Sequence, residues 1–250
     1  MKAAICNGYG ASDVIKILEQ TKPTPKKNEI LVKVIASSCT AADSMMRQGR
    51  PYFGRLFIGL TKPKYPVTGT GFSGVIEVAG EDVNEFSVGQ AVFGESIFGS
   101  GSNAEYLCVP QDALILHKPK ALSHEEAAPL CDGALTSLNF LKDVANLQSG
   151  QRILINGASG SLGCAAVQLA KHFGAHVTGV CSTKNIGLVK SLGADHVIDY
   201  TQQDFSLEKN AFHIVYDTVG KRTFKECNKC LKEGGQFISP VLSLSYCYRC

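Results

Sequence analysis

The sequence has 250 residues, 44% of them hydrophobic and 19% charged, with a formal net charge of +3 at pH 7. This length suits one large hydrophobic core or two ordinary ones, of which we favour two, and the composition excludes disorder. The small, scattered charge lacks the basic face of a nucleic-acid-binding protein and gives no sign of a membrane-binding surface, so we expect neither partner.

The amino-terminal stretch MKAAICNGYG lacks the apolar run of a signal peptide. Ten cysteines would suggest disulfides in a short secreted chain, but here they indicate reduced thiols. No stretch reaches the roughly 18 apolar residues of a transmembrane helix. We therefore expect a soluble protein in the cytoplasm.

Up to about residue 120 the chain predicts short β-strands bounded by turn residues. The strand-like stretches are EILVKVIASS, GVIEVAG, QAVFGES and AEYLCV. A long helical stretch then begins near residue 124, with interruptions at Pro129 and Gly133. We therefore place a domain boundary between a β-rich domain, residues 1–122, and a second domain, residues 123–250.

Strand-like and helix-like stretches alternate after residue 150, which predicts a doubly wound parallel α/β sheet. The strands are continuous apolar runs, as strands covered on both faces require. Helical spacing relates a set of apolar residues before Gly174, a natural helix end: Leu162, Ala165, Ala166, Leu169 and Phe173. A last helix is predicted over residues 221–233, before the strand-like GGQFISPV.

The stretch NGASGSLG lies between the first strand and the first helix of this second domain, where a dinucleotide-binding turn must lie. Gly160 would let the backbone approach a pyrophosphate, Gly163 would let helix and strand pack closely, and helix N–H groups would receive the anion. Ala158 stands where the first glycine is usual. An ordinary tight turn is the alternative.

The end of the next strand-like stretch, HVTGVCST, favours NADP over NAD. The stretch ends in Ser182 and Thr183, Lys184 follows, and no acid is present to hold the ribose hydroxyl of NAD. Hydroxyls and a cation suit a 2′-phosphate instead. The alternative for Lys184 is a solvated residue at a helix start.

Seven stretches together resemble the medium-chain dehydrogenase/reductase superfamily, and more closely its zinc-independent quinone oxidoreductase branch, over about residues 1 to 240. They are ILVKVIASS, GTGFSGVIEVAGEDV, FSVGQAVFG, NAEYLCVP, EEAAPL, GQRILINGASGSLGCAAVQLAK and SLGADHVIDY. The resemblance implies a GroES-like catalytic domain, a Rossmann domain, NADP(H) in the cleft between them, and a small-molecule substrate such as a quinone, an enone or a similar activated carbonyl compound.

The same resemblance implies a set of site residues. For catalysis these are Thr40, Asp43 and Tyr52, with Tyr52 as the expected hydrogen-bond donor to substrate. Thr40 falls where relatives often carry Asn, Asp43 has a cap or turn as its alternative, and Tyr52 has packing within its loop. For the cofactor they are Thr136, Ser159, Gly160, Ser161, Leu162, Gly163, Ser182, Thr183, Lys184, Tyr200, Val219 and Gly220.

The resemblance also implies that no metal is bound. Zinc-dependent relatives carry a His-Glu pair after a glycine, whereas Thr70 and Gly71 follow Gly69 here. Residues 1 to 116 contain no histidine, so Cys39 has no second ligand at recognisable spacing. Only Cys108 stands where those relatives have a four-cysteine lobe.

The sequence admits comparison with three other classes of protein. A short-chain dehydrogenase is set aside, because the glycine turn comes too late and no tyrosine has a lysine four positions on. Relatives continue past GGQFISPV with a sixth strand and a C-terminal return, which leaves open a truncated NADP-binding chain with little activity. Because that strand forms the usual dimer contact, a homodimer cannot be assumed. The third is a zinc module, from the pairs Cys227/Cys230 and Cys247/Cys250.

Overall fold

A computed structural model of the chain describes residues 1–96, 99 and 101–241. The backbone forms two compact units, Met1–Cys131 and a second that begins at Asp132. The helix His124–Ala127 packs against strands of the first unit, so the units divide within the long helical stretch. No helix among the described residues is long and apolar enough to cross a bilayer.

The first unit is built on a five-stranded antiparallel sheet and a separate hairpin. Its strands are β1 (Lys2–Cys6), β2 (Ile15–Glu19), β3 (Glu29–Ser37), β4 (Gly71–Ala79), β5 (Ala91–Glu95), β6 (Tyr106–Pro110) and β7 (Leu114–His117). Its helices are α1 (Ala41–Gln48), α2 (Arg55–Ile58) and α3 (His124–Ala127). The sheet has the order β6-β3-β4-β5-β7, and β1 pairs with β2. This is the predicted β-rich GroES-like architecture.

The core of this sheet explains its sequence pattern. Ile30 and Val32 alternate along β3 and pack with Phe72 and Leu107, all fully buried. Residues two apart in a strand share a face, so Ile30 and Val32 belong to one core, while Leu31 is buried on the other face of β3. The register between β3 and β4 shifts between Leu31 and Val32 and again between Val34 and Ala36, the second shift lying near the end of β3.

The second unit is a five-stranded parallel sheet with helices. Its strands are β8 (Arg152–Asn156), β9 (His176–Cys181), β10 (His196–Asp199), β11 (Phe212–Asp217) and β12 (Leu231–Ile238). Its α-helices are α4 (Thr136–Asn139), α5 (Ser161–His172), α6 (Ile186–Ser191) and α7 (Phe224–Cys227), with π-helical turns at Cys131–Leu135 and Phe140–Val144. The sheet order is β10-β9-β8-β11-β12. The predicted Rossmann sheet is confirmed.

This order places a crevice where ligands bind open α/β sheets. The chain runs from β8 outward to β9 and β10, then crosses to the other side of β8 to form β11. The strand order therefore reverses at the carboxyl ends of β8 and β11, which is the topological switch point.

Both faces of the parallel sheet carry a hydrophobic core. In β8, Ile153 and Ile155 pack with Ala166 and Val167 of α5, whereas Leu154 packs on the opposite face with Cys227. A strand buried on both faces needs apolar residues at successive positions. The continuous run in RILIN follows from this arrangement.

The helix predicted over residues 221–233 is wrong in its length. The helix spans only Phe224–Cys227, and Leu231 already pairs with Phe212 of β11. The backbone from Leu231 onward therefore belongs to strand β12 and not to the predicted helix. Gly234, with a left-handed φ of +72°, lies within this strand. Tertiary pairing overrides the local helical pattern here.

The two cysteines of this segment are core residues. Cys227 and Cys230 are fully buried among apolar side chains, as expected for Cys227. Burial raises the pKa of the Cys227 thiol to about 12. Cys247 and Cys250, the other half of the zinc pattern, lie outside the described residues.

The second unit offers two leucines for comparison, Leu154 on the central strand β8 and Leu207 in the 3-10 turn Phe205–Leu207. We expect Leu154→Ala to lower the free energy of unfolding by about 2–5 kcal/mol, since Leu154 is fully buried. Leu207 is 72% exposed in the same unit, so Leu207→Ala should change it by no more than about 0.5 kcal/mol. Urea denaturation followed by circular dichroism measures both, and equal losses would contradict this core assignment.

Candidate functional site

The glycine turn joins β8 to α5 by direct backbone contact. A Cβ atom on Gly163 would lie 2.1 Å from the Gly157 carbonyl oxygen and 2.6 Å from the Ala158 Cα. Gly157 has a φ of +80°, so it supplies the left-handed residue just before the position where Ala158 replaces the usual glycine. Gly157 and Gly163 are therefore required by the turn itself.

Gly160 differs from these two glycines. An added Cβ there would meet only the Gly157 oxygen, at 3.4 Å, so the space beside Gly160 is largely open. Gly160 precedes α5, and no side chain caps this helix. The first turn of α5 contains no acidic residue. An uncapped helix amino terminus with open space beside it favours binding of an anion.

A loop after β11 forms the second wall of the crevice. Thr218 Oγ1 donates to the Asn156 carbonyl at 2.7 Å, and Asn156 Nδ2 donates to Asp217 Oδ1 at 2.8 Å. The Val219 N–H also donates to Asp217 Oδ1, at 3.1 Å. The fully buried Asp217 carboxylate therefore fixes the predicted residues Val219 and Gly220 next to the end of β8.

The corner after β9 is linked to the glycine turn by a residue that the sequence interpretation missed. Asn185 Nδ2 donates to Ser159 Oγ at 2.9 Å and lies 3.4 Å from Ser182 Oγ. The predicted residues Ser159 and Ser182 are thus brought together. The sequence pattern gave no sign of a role for Asn185, which lies four residues past the end of β9. Only the folded chain brings this residue next to the glycine turn.

An acid stands closer to this corner than the sequence suggested. Thr183 Oγ1 donates to Asp199 Oδ2 at 2.5 Å, and the backbone N–H and hydroxyl of Thr201 donate to Asp199 Oδ1 at 3.0 and 2.7 Å. The hydrogen bonds from Thr183 and Thr201 hold the pKa of Asp199 below its ordinary value. Asp199 pairs with Cys181 across the parallel strands, so strand register was the signal that could have found it.

The remaining residues predicted for the corner are at the surface. Lys184 is exposed and makes no ion pair within the described part of the chain. Tyr200 follows Asp199 and is 59% exposed. Both side chains are therefore free to meet a ligand at the edge of β9 and β10.

The helix α4 lies against the start of α5. Ser137 Oγ donates to the Leu162 carbonyl at 2.8 Å, and a Cβ on Gly133 would lie 2.5 Å from Ser161 Oγ. Thr136, next to Ser137, is half-buried in this segment. The predicted residue Thr136 thus belongs to the same unit as the glycine turn.

The predicted catalytic residues lie in the first unit. Thr40 and Asp43 form a capping box at the start of α1, with Asp43 Oδ2 accepting from the Thr40 N–H at 2.7 Å. Tyr52 is 66% exposed, and the Arg55 guanidinium lies 5.0 Å from the centre of its ring. The cap alternative for Asp43 is therefore observed, while the catalytic roles of all three residues stay predictions.

Metal ligands are not grouped in the described ranges. Among residues 1–96, 99 and 101–241, no three His, Cys, Asp or Glu side chains are placed to hold a metal ion. Cys39 is exposed. Binding of zinc at the carboxyl-terminal cysteines stays untested, since Cys247 and Cys250 are not among the described residues.

Comparison with known proteins gives two matching family models. The alcohol dehydrogenase GroES-like domain matches residues 26–120, and the zinc-binding dehydrogenase domain matches residues 161–240. A 2-methylene-furan-3-one reductase of Solanum lycopersicum is 36% identical over 248 residues, which are 95% of this chain and 61% of that protein. The chain spans between 60% and 67% of the length of eight curated relatives.

Solved structures of related proteins are also similar to this chain. The quinone oxidoreductase from Coxiella burnetii is 33% identical with a TM-score of 0.87, over 96% of this chain and 75% of that one. A mycobacterial protein, Rv1454c, complexed with NADPH is 27% identical with a TM-score of 0.82, over 95% of this chain and 72% of that one.

The two glycines that flank the α5 start differ in a way that can be tested. We expect Gly163→Ala to lower the free energy of unfolding by about 1–3 kcal/mol, because its Cβ has no space. Gly160→Ala should lower it by no more than about 0.5 kcal/mol. Urea denaturation measures both variants, and a Gly163→Ala variant as stable as Gly160→Ala would contradict the close contact.

Proposed function

Because the chain belongs to the medium-chain dehydrogenase/reductase superfamily, among the quinone and enone oxidoreductases, we propose that it binds NADPH and reduces an activated carbonyl compound without zinc. The substrate is a quinone, an enone or a similar molecule. The observation that carries the proposal is the uncapped amino terminus of α5 at the switch point of the sheet.

The residues of the second unit fit a dinucleotide. Backbone N–H groups from Ser159 to Gly163 would hold the pyrophosphate, because the open space at Gly160 admits it and the helix dipole favours its charge. Thr136, Val219 and Gly220 would bind the nicotinamide half. When bound, the nicotinamide supplies the hydride, and the protein supplies orientation and hydrogen bonds.

The corner after β9 supports NADPH over NADH. Ser182 and Lys184, which makes no ion pair among the described residues, offer hydroxyl and cationic donors to a 2′-phosphate, while the Thr183 hydroxyl donates to Asp199. Asp199 would favour NADH if it accepted from a ribose hydroxyl, but its oxygens already accept from Thr183 and Thr201. The acid is thus occupied, while the cation is free within the described residues.

The first unit would supply the groups around the substrate. Tyr52 is the proposed hydrogen-bond donor to the substrate oxygen, with Thr40 and Asp43 nearby in the sequence. A mechanism without zinc is supported by Thr70 and Gly71, which stand where zinc-dependent relatives carry a ligand pair. In that mechanism hydrogen bonds take the role of a metal in stabilising negative charge on the oxygen.

We also propose a cytoplasmic location, with a small molecule as substrate and neither nucleic acid nor membrane as partner. Eight cysteines among the described residues are free thiols, which suits a reducing compartment. Dimerisation is a separate question for size-exclusion chromatography, since β12 lies at the edge of the described sheet.

Cofactor choice is tested by fluorescence titration of the purified chain. We expect NADPH to bind at least about tenfold more tightly than NADH, which corresponds to about 1.4 kcal/mol. Lys184→Ala should weaken NADPH binding roughly tenfold and leave NADH binding unchanged, since it removes one charged hydrogen bond to phosphate. Lys190→Ala, an exposed lysine on α6, is the matched control. Equal affinity for both cofactors would contradict the preference.

Turnover is tested by the loss of NADPH absorbance with an o-quinone or an enone. We expect oxidation of one NADPH for each substrate reduced. Gly160→Asp should abolish it, because a carboxylate at the helix start repels the pyrophosphate. Binding of NADPH without oxidation of any such substrate would favour the alternative of a cofactor-binding chain without activity.

A further inference from the structure

A pocket in the first unit brings arginine and tyrosine side chains together. It encloses about 640 Å³, including its open mouth. The loop after β1, the end of α1 and the segment from there into α2 supply its lining. The lining residues are Tyr9, Gly10, Ala11, Gln48, Arg50, Tyr52 and Arg55. All of them belong to the first unit, so the pocket is formed without the second.

The charge of this pocket is not balanced by nearby acids. Arg50 and Arg55 line it, and neither forms an ion pair with a described residue. Between Asp43 and Glu77 the sequence has five lysines and arginines and no acidic residue. Asp13, in the turn before β2, also pairs with neither arginine. Guanidinium groups left uncompensated beside a concave surface attract an anion.

Arg55 is held by backbone carbonyls and by two aromatic rings. Its Nε donates to the Gly49 carbonyl at 3.0 Å, and its Nη2 donates to the Gln48 carbonyl at 3.3 Å. Its guanidinium carbon lies 4.4 Å from the centre of the Tyr9 ring and 5.0 Å from the centre of the Tyr52 ring. The hydrogen bonds use one edge of the guanidinium. The next edge keeps two parallel N–H groups, on Nη1 and Nη2, which match the two oxygens of a carboxylate.

The floor of the pocket is rigid. Gly49 ends α1 with a φ of +61°, and an added Cβ there would lie 2.5 Å from Arg55 Nε and 2.8 Å from Tyr9 Cδ1. The Tyr9 hydroxyl donates to the Gly59 carbonyl at 2.5 Å, which fixes the other end of that side chain. Arg55 is therefore in position before a ligand arrives, and this lowers the entropic cost of binding.

Arg50 and Tyr52 form the open side of the pocket. The guanidinium carbon of Arg50 lies 5.9 Å from the centre of the Tyr52 ring, so both arginines lie beside the same ring. Arg50 is exposed, and its N–H groups are available to an anion held by Arg55. Tyr52 is 66% exposed, which leaves much of its ring available to a flat ligand.

We infer that this pocket binds the carboxylate of a planar aromatic acid. Arg55 bonds to both carboxylate oxygens, Arg50 bonds to the same group from the open side, and the Tyr52 ring packs against the aromatic body. A phosphate fits less well, because its tetrahedral oxygens need donors from several directions. The lining has no lysine, serine or threonine among the described residues. The site involves no cofactor and no hydride transfer, so it goes beyond the proposed function.

The first test uses 2-naphthoate, which is neither a quinone nor an enone. We expect it to bind the whole chain at least about tenfold more tightly than 2-naphthamide, its neutral analogue, because hydrogen bonds to a carboxylate are the stronger ones. Amide chemical shifts of the isotope-labelled chain measure both affinities, and the largest changes should fall at Gln48, Arg55 and the loop 9–11. Equal affinity for the acid and the amide, or changes confined to the second unit, would overturn the inference.

Three variants test the two arginines. Arg50→Gln should weaken 2-naphthoate binding about tenfold and leave 2-naphthamide binding unchanged, since it removes a charged hydrogen bond. Arg55→Lys should weaken it similarly, because an ammonium group lacks the two parallel donors. Lys62→Gln changes an exposed lysine outside the pocket lining and should keep the affinity within about twofold. Circular dichroism confirms that each variant is folded. Equal losses for Lys62→Gln and Arg50→Gln would indicate a general effect of charge and contradict the site.

A third ligand, 2-naphthyl phosphate, tests the class of anion. We expect it to bind no more tightly than 2-naphthoate, and tighter binding that Arg50→Gln removes would overturn the assignment to a carboxylate. The proposed function is tested separately by NADPH. A chain that binds 2-naphthoate as expected but binds no NADPH would refute the proposed function and leave this site standing. A chain that oxidises NADPH with an enone but does not distinguish 2-naphthoate from 2-naphthamide would give the opposite result.

Discussion

The contact between the start of α5 and the glycine turn is the constraint on which the second unit depends. Gly163 lies so close to Gly157 and Ala158 that no side chain fits between helix and turn. This contact fixes the amino end of α5 at the carboxyl end of β8, where the strand order reverses. The positive end of the α5 dipole and the open space beside Gly160 therefore lie at the crevice of the sheet. A dinucleotide pyrophosphate requires this combination of charge and space.

Hydrogen bonds between loops hold the rest of this crevice in shape. Asn156 and Asp217 join the ends of two neighbouring strands, and Asn185 joins the corner after β9 to the glycine turn. Each bond uses a side chain at a carboxyl end of the sheet, so the loops that follow have little freedom.

The sequence predicted those features that local patterns encode. The apolar runs of β8 and β9, the helical spacing in α5 and the glycines between them suffice for the Rossmann sheet and its turn. Contacts that depend on tertiary structure were missed: Asp199 beside Thr183, which follows from strand register, and Asn185 beside Ser159, which follows from the return of the chain to the glycine turn. The prediction of a helix over residues 221–233 was wrong in length for a related reason. Pairing of Leu231 with β11 outweighs the local helix propensity.

Amide chemical shifts of the isotope-labelled chain, followed as NADPH is added, test most directly whether this crevice binds a dinucleotide. The largest changes are expected at Ser159–Gly163, with a second group at Ser182–Asn185 and further changes at Val219 and Gly220. Changes confined to the first unit, or no changes at millimolar NADPH, would contradict the assignment of the cofactor to the glycine turn.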